Sequence, residues 1–185
     1  MQHHQFIQVY KNVLSEKICS ELIDLFESNP DQQMRVENDR RPNFTQICLN
    51  RMKSGEAYLP VVVKAMSQLF RAYSRSLKIY TEHLPRSFSI EEVRVKRYCN
   101  DGIDAFDTHV DVGDHLSAAR YLAFLFYLNS VEEGGETVFQ GSSDCVVLPK
   151  VGQAIVFPPN WQFPHRGKIP ISGNKYIMSS YFQFK

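Results

Sequence analysis

Three residues suggest the chemistry: His109 and Asp111, separated by one residue, and His165 far downstream. Two imidazoles and a carboxylate can fill one face of an octahedral divalent metal and leave the opposite positions open. That 2-His-1-carboxylate arrangement suits non-haem Fe(II) and oxygen chemistry. On a strand, a His-x-Asp pair sends both side chains to the same face, because side-chain direction alternates with a period of two. The pair alone is unspecific. The chain has six His, and residues Asp101 to Ser117 form a polar loop in which an incidental pair is unremarkable. His115, in that loop, falls beyond the expected end of the strand and ranks below His165 as third ligand.

A second group of residues points to an anionic ligand. The turn Ser172-Gly173-Asn174 leads into an expected strand over Asn174–Phe184, with Lys175, Ile177, Ser179 and Tyr181 on one face. A lysine among aliphatic neighbours inside a barrel is costly unless it meets an anion, and the far end of a dicarboxylate would supply one. The strand expected over Tyr121–Leu128 splits in the same way. Leu122, Phe124, Phe126 and Leu128 suit packing on helices, which leaves Tyr121, Ala123, Leu125 and Tyr127 facing inward. A buried phenol at Tyr127 needs a hydrogen-bond partner, and the same anion would serve.

The elements that must position these residues come in two blocks. Ser15 is placed to cap a helix carrying Ile18, Cys19, Leu22, Ile23, Leu25 and Phe26, which Asn29-Pro30 ends. A second helix starts near Glu56, tolerates Pro60 in its first turn, and presents Val62, Met66, Leu69, Tyr73, Leu77 and Tyr80. Between them the segment from Met34 to Gly55 is polar and irregular, with a short strand expected over Phe44–Leu49. From Ile90 onward short strands are expected at Glu92–Tyr98, Thr137–Phe139, Asp144–Leu148, Gln153–Phe157 and Phe163–Gly167, besides the two above. Turn residues such as Asn100-Asp-Gly, Glu133-Gly-Gly and Lys150-Val-Gly separate them. The expected fold is α+β but mainly β: a jelly-roll barrel over residues 90–185 behind a mostly helical support layer over 1–89, as a single domain.

Composition narrows the function. Net charge is +1, with basic residues scattered, so no footprint for nucleic acid or anionic lipid is expected. No apolar run reaches membrane-spanning length. Cys19, Cys48, Cys99 and Cys145 are far apart, which argues against zinc-ribbon and thioredoxin-like readings. Scattered thiols and a start without signal-peptide character lead to the expectation of a cytoplasmic protein.

The ordered set His109-Val-Asp111, Tyr127-Leu-Asn129, Glu133-Gly-Gly-Glu-Thr137-Val-Phe139, Pro149-Lys-Val-Gly152, Ile155-Val-Phe157, His165 and Lys175 resembles the prolyl 4-hydroxylase branch of the 2-oxoglutarate/Fe(II) dioxygenases. The resemblance runs from about Val93 to Tyr181, with Val13 to Ile23 similar to the family's lead-in helix. It implies a double-stranded β-helix in which His109, Asp111 and His165 bind Fe(II). It also implies that Lys175 holds the C5 carboxylate of 2-oxoglutarate, helped by Tyr127 and Thr137, with Tyr98 lining the cosubstrate pocket one residue out of the usual spacing. Arg120 is similar to the arginine with which prolyl hydroxylases grip a peptide. Tyr181 stands where many of them carry a Trp near the substrate proline.

The implied reaction consumes O2 and 2-oxoglutarate, releases succinate and CO2, and hydroxylates an unactivated C–H, with L-ascorbate as an accessory reductant. A prolyl residue of a peptide or protein is the leading target, and a free amino acid or other small molecule the alternative. The rival from another class is a non-catalytic β-barrel module that binds a metal or ligand. The pairing of open coordination sites with a dicarboxylate anchor favours the enzyme.

Overall fold

The structure, a computed structural model, describes residues 3–38, 42–141 and 145–185. Helix α1 (Glu16–Glu27) begins where Ser15 Oγ accepts the Ile18 amide at 3.3 Å, and it buries Cys19, Leu22 and Phe26. The expected second helix is two pieces, α2 (Lys53–Glu56) and α3 (Leu59–Ser76), with Pro60 in the first turn of α3. The periodic stripe outlasts the helix. Leu77 is the C-cap, and Tyr80 falls in a 3-10 segment over Lys78–His83.

Among the described residues there are twelve strands, in chain order β1 (Gln8–Tyr10), β2 (Met34–Val36), β3 (Phe44–Cys48), β4 (Phe88–Ile90), β5 (Arg94–Tyr98), β6 (Phe106–His109), β7 (Arg120–Tyr127), β8 (Thr137–Phe139), β9 (Cys145–Val147), β10 (Ala154–Phe157), β11 (His165–Gly167) and β12 (Lys175–Phe184). All strand pairs are antiparallel. A major sheet runs β1-β10-β7-β12-β5-β3-β2, with β4 also on β12, and a minor sheet runs β6-β11-β8-β9. This is the jelly-roll barrel expected from the turn spacing. Asp144, the expected start of β9, lies outside the described residues.

The first half of the chain is more than a helical layer. Strands β1 to β4 all join the major sheet, and β3 pairs with β5 so that Thr45 faces Arg97 and Ile47 faces Val95. Runs of three residues, such as β1 and β2, are too short to display an alternating pattern.

The major sheet separates two cores. On its outer face Leu122, Phe124, Phe126, Met178 and Phe182 pack with Leu22 and Phe26 of α1 and Val62, Met66 and Leu69 of α3. On its inner face Tyr98, Ala123, Tyr127, Ile155, Ile177 and Tyr181 meet Phe139 and Val147 of the minor sheet. Tyr121 departs from the expected inward face. The β7–β12 register shifts between Phe182 and Gln183, which alters the alternation there. The Tyr121 ring consequently lies 5.0 Å from Phe184 and 6.3 Å from Phe182, on the helix side. Among the described residues no helix is long and apolar enough to cross a membrane.

Candidate metal centre

The minor sheet brings the two candidate histidines together. Strands β6 and β11 pair antiparallel with His109 opposite His165, and the ring centroids are 4.3 Å apart. Asp111 arrives by a different route from the one its spacing suggested. Strand β6 ends at His109, and Asp111 sits in the bend that follows. Its position is fixed by the backbone: the Asp111 and Val112 amides both donate to the Pro159 carbonyl at 3.1 Å. The carboxylate then faces both imidazoles, with Oδ1 3.6 Å from His109 Nε2 and Oδ2 3.7 Å from His165 Nε2. Donor atoms of the three residues all lie within 4.8 Å of one another.

Hydrogen bonds orient each donor. His109 Nδ1 lies 2.8 Å from the Asp107 carbonyl, and His165 Nδ1 lies 3.1 Å from the Phe163 carbonyl. A carbonyl can only accept, so in each neutral ring Nδ1 carries the proton and Nε2 keeps its lone pair for a metal. Phe106 stacks on the His109 ring at 3.4 Å between centroids. Burial pushes His165 down to about 4, partly opposed by the Asp111 charge, so it is neutral and ready to ligate at neutral pH. Burial alone would raise the Asp111 carboxyl. The His109 contact, the electrostatic influence of the two imidazoles and the Tyr181 hydroxyl outweigh it and hold the group at about 2. The Tyr181 hydroxyl donates to Asp111 Oδ1 at 2.9 Å.

The major sheet supplies the rest of the pocket, which His109, Asp111 and His165 line together with Lys96, Tyr98 and Lys175. Lys175 is 2% exposed, and burial lowers it to about 7, with Glu136 acting in the opposite direction. Its ammonium lies 5.4 Å from the Tyr98 ring centre and 5.6 Å from that of Tyr127. The backbone around it is clamped: Asn129 Nδ2 donates to the Asn174 carbonyl at 2.7 Å, and the Tyr176 amide donates to Asn129 Oδ1 at 2.8 Å. Gly135 takes φ +71° beside the lysine stem, and a Cβ there would lie 3.3 Å from Lys175 Cδ. Tyr127, expected to need an anion, has an internal partner as well, donating to Thr137 Oγ1 at 2.7 Å. Burial raises its phenol far above the ordinary range. Tyr98 is likewise buried and raised.

Arg120 lies close to the cluster and is heavily engaged. Its Nε and one terminal nitrogen each donate to Glu91 at 2.6 Å, the other terminal nitrogen donates to the Asp111 carbonyl at 2.9 Å, and the guanidinium lies 4.2 Å from the Tyr181 ring centre. Its guanidinium thus braces the Asp111 bend. His115 is exposed and outside the donor cluster. Two residues of this site were missed in the sequence, Lys96 and Glu91. The first had a signal, since it lies two positions before Tyr98 and therefore on the same strand face. A second acidic group, Cys99, Asp101 and Asp104, also comes together. There Asp104 accepts the Cys99 amide at 2.9 Å and pairs with Arg35 at 2.7 Å, which accounts for it as loop structure.

Two imidazole nitrogens and one carboxylate, without thiolate, fit Fe(II) or another first-row divalent ion, and a buried ammonium in the same pocket fits an organic anion. Residues 93–183 match the family model described as the 2OG-Fe(II) oxygenase superfamily. No curated protein sequence matches the chain significantly. Among solved structures the fold is similar to a viral collagen prolyl hydroxylase of Paramecium bursaria Chlorella virus-1 in a 2OG complex (21% identity, 97% of each chain covered, TM-score 0.73). It is also similar to a Trichoplax adhaerens prolyl hydroxylase in complex with a hypoxia-inducible-factor peptide fragment (15% identity, 97% of this chain and 84% of that one, TM-score 0.74). A Pseudomonas putida prolyl-4-hydroxylase is a third such structure (18% identity, 97% and 93%, TM-score 0.72). The match over residues 93–183, on a barrel of this architecture, means that the chain belongs to the 2OG-Fe(II) oxygenase superfamily.

Proposed function

We propose that this chain is an Fe(II)/2-oxoglutarate-dependent dioxygenase that hydroxylates an unactivated C–H, with a prolyl residue of a peptide or protein as the leading target. The observation that carries the reading is the convergence of His109, Asp111 and His165 on one point, in the same pocket as a buried lysine. In this reading the three residues hold Fe(II) through the two Nε2 atoms and the Asp111 carboxylate. Bound iron would supply the activation of O2 that couples decarboxylation of 2-oxoglutarate to C–H hydroxylation.

The chain's own residues do the rest. Lys175 pairs with the C5 carboxylate of 2-oxoglutarate, which returns its proton affinity toward the ordinary lysine range. The Tyr127–Thr137 hydroxyl pair would donate to that carboxylate, and the Tyr98 ring, 5.4 Å from the Lys175 ammonium, would line its site. Phe139 and Phe157 pack against the His165 ring, at 5.3 and 4.9 Å between centroids, and their apolar surface excludes water from the metal end. Tyr181 and Arg120 keep the Asp111 bend in place, one at the carboxylate and one at the carbonyl. Ascorbate, as the resemblance implies, would act as an accessory reductant outside this residue set.

Two features favour a polypeptide target. The neighbouring structures are prolyl hydroxylases, one of them in complex with a peptide. Two loops joined at the Asp111–Pro159 hydrogen bond also carry large exposed apolar side chains, Leu116 at 89% and Trp161 at 77%. Such residues on neighbouring loops make an apolar rim that a chain can lie on. The test is mass spectrometry of proline-containing peptides incubated with enzyme, Fe(II), 2-oxoglutarate and O2. A gain of one oxygen on proline with matching succinate is expected. A broad panel without mass gain, beside robust turnover of a free amino acid, would replace the peptide with the small-molecule target.

A further inference from the structure

The pocket holds a second lysine. Lys96 lies on β5, where the register with β12 sets it opposite Ile177, while Lys175 stands opposite Tyr98. The two lysines are thus diagonal neighbours on one sheet face, with backbone positions on the order of 7–8 Å apart. Their surroundings differ. Glu136 is the charge that acts on Lys175. The charges that act on Lys96 are Asp111, Arg94, Arg120 and Glu91, and Lys96 in turn acts on His165. Lys175 therefore serves one end of the pocket, and Lys96 faces the metal end.

Among the described residues no group pairs with Lys96. Its Nζ lies 5.0 Å from the Phe44 ring centre, and among the described residues it has no hydrogen bond and no carboxylate within 4 Å. The nearby acids are committed. Glu91 accepts from Arg120, Arg94 and Gln183, and Asp111 accepts from Tyr181 and belongs to the metal cluster. Burial lowers the Lys96 ammonium to about 8, opposed by the Asp111 and Glu91 charges and reinforced by those of Arg94 and Arg120. An ammonium held against an aromatic wall without an anion is costly, and a ligand that brings the anion recovers that cost.

We propose that Lys96 is a substrate-recognition residue that binds a carboxylate, so that preferred substrates carry an acid group close to the carbon that is oxidised. This inference rests on the dioxygenase reading above. The acid can be a free α-carboxylate or the side chain of an aspartate or glutamate beside the target residue, and the chemistry at Lys96 is the same for both.

The test uses the full chain loaded with Mn(II) and 2-oxoglutarate, with Mn(II) broadening of ligand proton signals reporting binding near the metal. The probes are acid and amide pairs: N-acetylproline with N-acetylprolinamide, N-acetylleucine with N-acetylleucinamide, and N-acetyl-aspartyl-prolinamide with its asparaginyl counterpart. The acid of at least one pair should bind at least roughly tenfold more tightly than its amide, as expected for a charge-assisted contact. The first two pairs report an α-carboxylate and the third a side chain. Lys96→Gln should erase the preference and Lys96→Arg should retain most of it. An equal affinity for acid and amide in every pair overturns the proposal, as does a preference that survives in Lys96→Gln. A larger loss of 2-oxoglutarate affinity than of acid affinity in Lys96→Gln also overturns it, since Lys96 would then serve the cosubstrate. Failure of the wild-type protein to bind Mn(II) and 2-oxoglutarate at all is a separate result and removes the dioxygenase reading itself.

Discussion

The two faces of the major sheet are built from the same strands and serve opposite ends. On β12 the residues Met178 and Phe182 point outward into the helix-side core, while Lys175, Ile177, Ser179 and Tyr181 line the pocket. On β7, Phe124 and Phe126 pack outward while Ala123 and Tyr127 face inward. The outer face is continuous apolar surface and stabilises the fold. The inner face carries one buried cation, Lys175, one partly buried cation, Lys96, and three tyrosines whose phenols burial pushes up, groups that cost stability in the empty protein. A period of two lets one strand separate these tasks residue by residue.

The separation can be broken from either side. The largest expected effect is on chemistry: His109→Ala or Asp111→Ala should abolish 2-oxoglutarate turnover and metal retention while leaving the thermal unfolding transition near that of wild type. Succinate assays with metal analysis check this, and unchanged turnover in either variant contradicts the ligand assignment. Next is the outer face, where Phe126→Ala empties a fully buried site and should cost about 3–5 kcal/mol in urea unfolding.

Lys175→Ala is comparable in size but falls on binding. Loss of a desolvated, hydrogen-bonded partner costs ~2–5 kcal/mol, so the KM for 2-oxoglutarate should rise steeply while metal binding stays. An unchanged affinity would transfer the anchor to Arg166 or Lys168. A smaller effect is pH-dependent. Lys175 in the empty protein titrates at about 7, and the dicarboxylate needs the protonated form. Affinity for 2-oxoglutarate should therefore be greatest below that value and weaken as pH rises above it, by up to about tenfold per unit. Calorimetric titration across pH 6 to 9 checks the direction. The smallest effect belongs to His115→Ala, where activity should stay close to wild type.

What the sequence made legible follows the same division. Alternation assigned Tyr127, Lys175 and Tyr181 to the inner face correctly, because each lies on a long regular strand. It failed at Tyr121, where a register shift interrupts the pattern. It also misassigned the means by which Asp111 reaches the metal cluster, since that residue lies past the strand end and is held by the Pro159 carbonyl. Arg120 could not be placed from spacing at all. Its partner Glu91 is distant in the chain, and only the folded sheet brings the two within 2.6 Å. Lys96 was legible in principle from its spacing to Tyr98. Its lack of a counter-ion was not, because that depends on which acids the fold commits elsewhere.

The most direct test of the central claim is succinate formation from 2-oxoglutarate, measured for wild type and Asp111→Ala with and without added Fe(II). Fe(II)-dependent succinate is expected from the wild-type protein and none above background from the variant. Equal succinate from both proteins, or none from the wild type under any iron loading, would contradict the claim.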